Sequence, residues 1–315
     1  MIEAPCLVCG STEAWTVWRL RRDPYLEQLG LHRADVRKVM CRRCGLVYSR
    51  PQLDADEITR LYSSFRESPT PNSSHLAAKQ RLAADDFAWL RERLTGVGHV
   101  LDIGCAEGSL LHEFQQVGWQ CTGIEPSAFA RFAREHYGLN VHESLFERVS
   151  LPMASFDVVT ALRVLEHVSD PRDVLARIRS LLSPVGRLYL EVPDAARPRH
   201  RLTEFLGSQH LRLFSAGALS SLLESSGFTP VALDATGRGL RALAIVCSTG
   251  PGGPGKITSV VPPNRLAVAR LRATYATHHA RYLWKTRGRP ALIAVARAAL
   301  GGAGVGYIRR WRRRS

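Results

Sequence analysis

The stretch VLDIGCAEGSLL, from Val100 to Leu111, decides the fold because it joins an apolar run to an acid and then to small residues. The apolar run predicts a buried strand ending near Asp102, and the small residues predict a tight turn that opens a helix. Ligands of open α/β sheets bind beyond the carboxyl ends of strands, so the turn predicts a ligand-binding loop. A nicotinamide site favours G-x-G-x-x-G, whereas here an acid precedes G-x-A-x-G, which argues against a dehydrogenase.

Outward from this turn, short apolar segments alternate with amphipathic segments of helical period. The predicted strands are 99–104, 120–125, 140–144, 156–162, 187–193, 228–234 and 241–248. The predicted helices lie near 108–117, 127–137, 170–182 and 215–226. This order indicates an α/β fold with a doubly wound, Rossmann-like sheet of seven strands. The last two strands are close enough in sequence to form an antiparallel hairpin at one edge.

Four regions follow from the composition. Residues 1–50 contain paired cysteines, 51–98 predict lead-in helices, 99–250 form the sheet domain and 251–315 form a basic tail. The first residues carry no basic segment followed by an apolar one, so no secretory signal is visible and we expect a cytoplasmic protein.

The cysteine pairs predict a zinc ribbon at the amino terminus. Cys6 and Cys9 form one C-x-x-C-G motif, and Cys41 and Cys44 form another. Two such motifs bring four thiolates into a tetrahedron, which is the coordination typical of structural zinc. Four unligated thiols and an iron–sulfur cluster are the alternatives. Nothing in the spacing indicates an open coordination position, so we assign the metal no chemical step.

The net charge of +15 is concentrated in the tail, because 251–315 contains 14 Lys and Arg residues and no Asp or Glu. Residues 264–285 predict a basic amphipathic helix, with Val268, Leu271, Tyr275 and Tyr282 on one side. Three interpretations remain open. The tail binds an anionic membrane surface, binds nucleic acid, or extends into solvent or over its own domain. Arg297 and several glycines argue against a membrane span in 290–308.

A second acid and a third motif strengthen the interpretation of the turn as a binding site. Glu125 follows the second strand, where a carboxylate can accept both hydroxyls of a ribose. The third motif is SFDVVTALRVLEHVSDP, which contains His167 after the fourth strand. His210 follows the fifth strand in GSQHLRLFS. Histidine titrates nearest neutrality, so His167 and His210 are the candidate general bases.

Over residues 80–248 this motif set resembles the class I S-adenosylmethionine-dependent methyltransferases. The resemblance implies that Glu125 holds the cofactor ribose and that no metal takes part in methyl transfer. It also implies that four residues line the methionine and ribose end of the cofactor: Asp102, Gly104, Ala106 and Gly108. Where relatives often carry an acid for the adenine amino group, this sequence has Ser144 and Leu145.

The cysteine motifs and QHLRLFS are together similar to the sugar C-methyltransferases, whose corresponding stretch is E-H-x-x-x-F-S. The resemblance implies that His210 is the base, although Gln209 stands where those relatives have an acid. The carboxy-terminal domain of those relatives is replaced here by the short basic tail.

The sequence therefore predicts an S-adenosylmethionine-dependent methyltransferase that acts on a sugar, a glycolipid precursor or another small metabolite, at the inner face of a membrane if the tail binds one. The alternative is an RNA-binding protein or RNA methyltransferase that uses the ribbon and the tail. A third hypothesis is an inactive scaffold with a methyltransferase fold.

Overall fold

The computed structural model describes residues 1–19, 23–31, 35–63, 73–199, 201–247 and 262–287. These residues form two sheets flanked by helices. The strands are β1 (Ala14–Arg19), β2 (Arg37–Cys41), β3 (Val47–Arg50), β4 (His99–Ile103), β5 (Gln120–Ile124), β6 (Asn140–His142), β7 (Phe156–Leu162), β8 (Leu182–Val192), β9 (Arg212–Leu213), β10 (Phe228–Ala235) and β11 (Leu240–Val246).

The larger sheet has seven strands in the order β10-β11-β8-β7-β4-β5-β6. Five strands are parallel, and β10 and β11 form an antiparallel hairpin at the edge next to β8. The predicted seven-stranded α/β fold is thus confirmed. Strand β6 is shorter than expected and ends at His142, while β8 is longer and begins at Leu182 because Leu182 already pairs with Phe156.

Helices cover both faces of this sheet. They are α1 (Pro24–Gln28), α2 (Ala55–Ser63), α3 (Ser73–Arg91), α4 (Ser109–Gln116), α5 (Phe129–Tyr137), α6 (Pro171–Leu181), α7 (Leu202–Phe205), α8 (Ala216–Ser225) and α9 (Arg265–Arg287). Local sequence explains their starts. Asp170 caps α6 by accepting from the Arg172 amide, and Ser215 caps α8 by accepting from the Ala218 amide.

Alternating side chains of the central strands supply two apolar clusters, one on each face. Leu101 and Ile103 of β4 belong to the cluster beneath α6 and α8, whereas Val100 belongs to the cluster beneath α3, α4 and α5. This alternation is the period of two expected of a strand. It fixes the orientation of β4 and so the direction in which its final turn projects.

The smaller sheet has the order β1-β2-β3-β9. Its first three strands come from the cysteine-containing region, but β9 comes from the segment between β8 and α8. Val47 pairs with Leu213 and Tyr48 pairs with Arg212 in an antiparallel arrangement. The amino-terminal module is therefore joined to the larger domain by a shared sheet.

Helix α9 lies within the predicted tail, and its apolar side is covered by other parts of the chain. Val268, Leu271 and Tyr275 are buried in a cluster formed with the smaller sheet and α7. The Tyr275 hydroxyl donates to the Ala195 carbonyl at 2.9 Å. In this docked position these three side chains are not available to a membrane. Residues 288–315, including Trp311, lie outside the described residues.

Within the described part of the chain, every helix is too short or too polar to cross a bilayer.

Candidate functional site

The turn after β4 adopts a left-handed backbone at three of its positions. Gly104 has φ +72°, Ala106 has φ +46° and Gly108 has φ +84°. At Gly108 a Cβ atom would lie 2.7 Å from Leu139 Cδ1, so both the conformation and the packing require glycine there. The turn ends at the first residues of α4, whose free amides and helix dipole favour an electron-rich ligand group.

Glu125 lies at the end of β5, next to this turn, and is buried with 8% of its surface exposed. Its Oε2 accepts from the Ala106 amide at 3.0 Å and its Oε1 accepts from the Ser127 amide at 2.9 Å. A carboxylate has about four acceptor positions. Each oxygen of Glu125 therefore keeps acceptor capacity for a ligand hydroxyl while the backbone bonds hold the group in place.

Asp102 forms the floor of the turn on β4 and is almost fully buried. Thr160, opposite it on β7, donates its hydroxyl to Asp102 Oδ1 at 2.6 Å. Burial raises the pKa of Asp102 to about 7; the Thr160 bond lowers it, and the carboxylates of Glu125, Glu107 and Asp86 raise it further. A cation bound in the turn would therefore favour the ionised form of Asp102 and lower its pKa.

Ser144 and Leu145, predicted at the adenine position, follow the end of β6 and are partly buried. The Ser144 amide donates to the His142 carbonyl at 3.0 Å, which folds this segment back beside the end of β5. The segment lies at the same edge of the sheet as Glu125, whose amide bonds the same carbonyl. The described structure supplies the backbone and the Ser144 hydroxyl there, with no acid at either position.

The two predicted histidines, 43 positions apart in sequence, are brought together with their ring centroids 4.9 Å apart. His167 Nδ1 bonds the Gln209 carbonyl at 2.9 Å, and His210 Nδ1 bonds the Phe205 carbonyl at 2.9 Å. A carbonyl only accepts, so each Nδ1 carries a proton and each Nε2 presents a lone pair. This is the tautomer that a general base needs.

Burial keeps both imidazoles neutral. It lowers the pKa of His167 to about 4 and lowers the pKa of His210 well below its ordinary value, while the backbone bonds oppose the shift. For His210 the neighbouring His167 and the cationic Lys38 and Arg163 lower the pKa further. The two side chains are therefore present in their basic form across neutral pH.

Glu166 is a site residue that the sequence reasoning missed. Its side chain is fully buried, neither carboxylate oxygen has a hydrogen-bond partner among the described residues, and Oε1 lies 3.8 Å from His167 Nε2. Burial raises the pKa of Glu166 to about 7. Glu166 thus places an acidic side chain next to the histidines, which Gln209 cannot do because it is not an acid. Side-chain nitrogen and oxygen atoms of Glu166, His167 and His210 lie within 4.8 Å of one another, so the three side chains form one compact group.

Two buried cations, Lys38 and Arg212, also escaped the sequence reasoning. Arg212 on β9 donates to the carbonyls of Leu165, Val168 and Ser169, and so holds the loop that carries His167. Lys38 on β2 contacts the segment that carries His210. The sequence signal for Lys38 was its position next to the apolar residues of β2, in the segment RKVMC. A charged residue in a buried strand must find partners inside the protein.

The four cysteines of the amino-terminal motifs converge in a buried cluster. Their sulfur atoms all lie within 4.8 Å of one another, with Cys6 to Cys44 and Cys9 to Cys41 at 3.4 Å each. These distances are far beyond a disulfide bond of about 2.05 Å. Four sulfurs around one zinc at about 2.3 Å would be about 3.8 Å apart, so the cluster fits that ion. The Arg43 amide points at Cys41 Sγ at 3.4 Å.

Comparison with known proteins relates the chain to enzymes of one kind. Residues 75–233 match the family model described as a methyltransferase domain. The chain is 34% identical over 128 residues to the mitochondrial ubiquinone biosynthesis O-methyltransferase of Schizosaccharomyces pombe, covering 38% of this chain and 46% of that protein. It is 34% identical over 131 residues to the ubiquinone biosynthesis O-methyltransferase of Pseudomonas aeruginosa strain LESB58, covering 39% of this chain and 56% of that protein. The match thus spans about half the length of these curated relatives.

Among solved structures, the fold resembles 1,6-didemethyltoxoflavin-N1-methyltransferase of Burkholderia thailandensis, which was crystallised with S-adenosylhomocysteine. The TM-score is 0.50 at 21% identity, covering 64% of this chain and 95% of that one. The comparisons give no support to the RNA alternative. Since the family model covers half of the sequence, the chain belongs to the methyltransferase-domain family.

Proposed function

We propose that this protein transfers a methyl group from S-adenosylmethionine to a small-molecule acceptor. The observation that carries the proposal is Glu125, a buried carboxylate fixed by two backbone amides beside a left-handed, small-residue turn. This arrangement suits a ribose, because two vicinal hydroxyls can donate to the two oxygens. When bound, the cofactor supplies an electrophilic methyl group on a sulfonium.

The residues around the turn fit the remainder of that cofactor. Asp102 offers a negative charge for the cationic methionine end, and Gly104 and Gly108 allow the backbone to approach it closely. Ser144 and Leu145 lie at the sheet edge where the adenine would rest. Together these residues would hold the cofactor at the carboxyl edge of the sheet, and the loop that follows β7 at the same edge carries His167.

In the proposed reaction the histidine pair accepts the proton that the acceptor loses. The bound cofactor would supply the methyl carbon to the acceptor atom, and the electron pair of its sulfur–carbon bond would stay on sulfur. The acceptor proton moves to Nε2 of His210, or to Nε2 of His167 beside it. Buried Glu166 stabilises the imidazolium that results, because a negative charge nearby favours the protonated ring.

The resemblance of the cysteine motifs and QHLRLFS to sugar C-methyltransferases favours a sugar-like acceptor. The curated relatives, named as O-methyltransferases of ubiquinone biosynthesis, favour an oxygen acceptor instead. Both chemistries need a base at the acceptor, so the His167–His210 pair serves either. An activity screen that contains nucleotide-linked deoxysugars and hydroxyl-bearing precursors of ubiquinone separates the two.

Calorimetric titration with S-adenosylmethionine tests the cofactor assignment. Glu125→Ala should weaken binding at least ten-fold, because each charge-assisted hydrogen bond contributes about 1.5–3 kcal/mol. Glu125→Gln keeps one neutral acceptor, so its affinity for S-adenosylmethionine should lie between those of the wild type and Glu125→Ala. Glu92→Gln removes an exposed carboxylate at the end of α3 and should bind like the wild type. Unchanged affinity in Glu125→Ala would remove the ribose assignment, and tight NAD binding by the wild type would overturn the cofactor.

We also propose that Cys6, Cys9, Cys41 and Cys44 hold one structural zinc ion. All four cysteines are buried, and four thiolates would fill the coordination sphere of a tetrahedral zinc, so the metal would stabilise the module without acting on the acceptor. A module with so small an apolar core also needs such a stabilising link. Metal analysis of the purified protein should find one zinc per chain. A folded, metal-free preparation that resists protease in the presence of chelator would contradict the assignment.

A further inference from the structure

The segment 205–214, which carries His210, is attached to the amino-terminal module at several points. The Ser49 amide donates to the Leu211 carbonyl at 2.8 Å, and β9 extends the smaller sheet beyond β3. Asp23, buried beside α1, accepts from the Ser208 amide at 2.7 Å. The conformation of this segment thus depends on residues far away in sequence.

Lys38 makes the most direct of these attachments. Its side chain is fully buried, and its ammonium donates to Ser49 Oγ at 2.7 Å, to the Gly207 carbonyl at 3.1 Å and to the carbonyl of His210 itself. An ammonium has three N–H donors, and all three find acceptors here. Two of the three are carbonyls of the segment that carries the histidine.

We infer that Lys38 is a positioning residue for His210, through which the amino-terminal module holds the base of the methyl transfer in place. The inference rests on the proposed function for the role of His210 as a base. The contact itself does not depend on the identity of the acceptor. The inference gives the cysteine module a role in the reaction, which the closed metal cluster by itself does not indicate.

Two physical effects transmit this influence. The bond to the His210 carbonyl fixes the backbone from which the ring is directed toward the Phe205 carbonyl, and that second bond selects the Nδ1–H tautomer. Burial lowers the pKa of Lys38 to about 7, so at pH 6 its side chain carries a charge that disfavours a proton on the nearby imidazoles and lowers the pKa of both His210 and His167. Arg163 acts in the same direction on both rings, and the coupling with His167 lowers the pKa of His210 further.

We therefore expect the loss of Lys38 to change the tautomer and the pKa of His210, which a general loss of stability would not do. In Lys38→Met the side chain keeps its length but loses its donors and its charge. The carbonyls of Gly207 and His210 lose a partner, so the ring is held less firmly toward the Phe205 carbonyl, and the pKa of His210 rises while burial and His167 still keep it below the ordinary value. Cofactor affinity should stay within about two-fold, because the turn after β4 makes no contact with Lys38 among the described residues.

Nitrogen-15 NMR of the imidazole side chains measures this effect without an acceptor. The His210 signals are assigned by their absence in His210→Gln. At pH 6 the wild type should show a single Nδ1–H tautomer for His210, and Lys38→Met should show mixed tautomers and a titration midpoint moved upward. Arg19→Met removes an exposed cation from β1 of the same sheet and should leave the His210 signals unchanged.

Ser49→Ala provides a milder variant in case Lys38→Met does not fold. It removes one acceptor from Lys38 and a weaker bond, at 3.4 Å, from the Ser49 hydroxyl to the His210 carbonyl, and should move the His210 signals in the same direction by a smaller amount. Wild-type tautomer and titration in either folded variant would overturn the inference. Failure of the wild type to bind S-adenosylmethionine would overturn the proposed function instead, while leaving the NMR comparison intact.

Discussion

Asp102 predicts that cofactor affinity rises with pH. Burial and three neighbouring carboxylates raise its pKa to about 7, so below that pH the empty site holds a protonated, neutral carboxyl. The methionine end of S-adenosylmethionine carries a sulfonium and an ammonium, and it binds the ionised form more tightly. With a pKa of about 7, the ionised fraction is about 3% at pH 5.5 and about 75% at pH 7.5, so affinity should rise about 25-fold over this interval.

Calorimetry over this pH range, repeated in buffers of different ionisation enthalpy, measures both the affinity and the proton released on binding. Thr160→Val removes the donor that lowers the pKa of Asp102, so the rise should move to higher pH. Asp102→Asn should bind weakly and without this slope. Glu166, whose pKa is also raised to about 7, is the rival source, and Glu166→Gln should keep the slope. A flat profile in the wild type, or an unchanged slope in Asp102→Asn, would refute the reasoning.

The same residue affects stability with a definite sign. A carboxyl whose pKa is raised by folding binds a proton in the native state that the unfolded chain has already lost. Between about pH 4 and 7 the contribution of Asp102 to the free energy of unfolding therefore decreases as pH rises. Bound cofactor offsets this loss by favouring the ionised form.

Two further predictions concern the elements outside the seven-stranded sheet. Cys9→Ser should release the zinc and abolish protection from hydrogen exchange in β1–β3, because three ligands and a small core do not hold the module, whereas Cys247→Ser should retain both. Preserved protection in metal-free Cys9→Ser would contradict this. Tyr275→Ala should lower the free energy of unfolding by about 3–5 kcal/mol, as expected for a fully buried aromatic side chain, and Tyr275→Phe by about 1–3 kcal/mol through its unpaired carbonyl partner. Equal denaturation midpoints for wild type and Tyr275→Ala would show that α9 does not depend on this contact.

Most of the larger sheet was predictable because its signals are local. Parallel strands covered on both faces are continuous apolar runs, and the helices between them begin with recognisable caps such as Asp170 and Ser215. The binding turn was predictable for the same reason, since a left-handed backbone at Gly104 and Gly108 selects glycine directly. Each of these features is encoded by a stretch of about ten consecutive residues.

The remaining features depend on contacts between distant segments. Strand β9 has two residues, too few to show a period, and its partner β3 lies more than 160 positions earlier. The sequence showed that Gln209 stands where the similar sugar C-methyltransferases have an acid, but not that Glu166, in the loop after β7, lies 3.8 Å from His167. The tail helix had the correct apolar side, but amphipathicity alone does not distinguish a bilayer from the protein's own surface.

These distant contacts converge on one segment. Phe205 and Leu213 pack in the cluster that contains Val47 of the amino-terminal module and Tyr275 of the tail helix. The same segment carries His210 between them, held by Lys38. The role proposed for His210 requires a neutral, desolvated ring in one tautomer, and the short loop between α7 and β9 needs rigid neighbours to hold the ring in that state. The cysteine module and α9 both pack against this segment, so we propose that they support the site even though neither contributes a residue to the turn after β4.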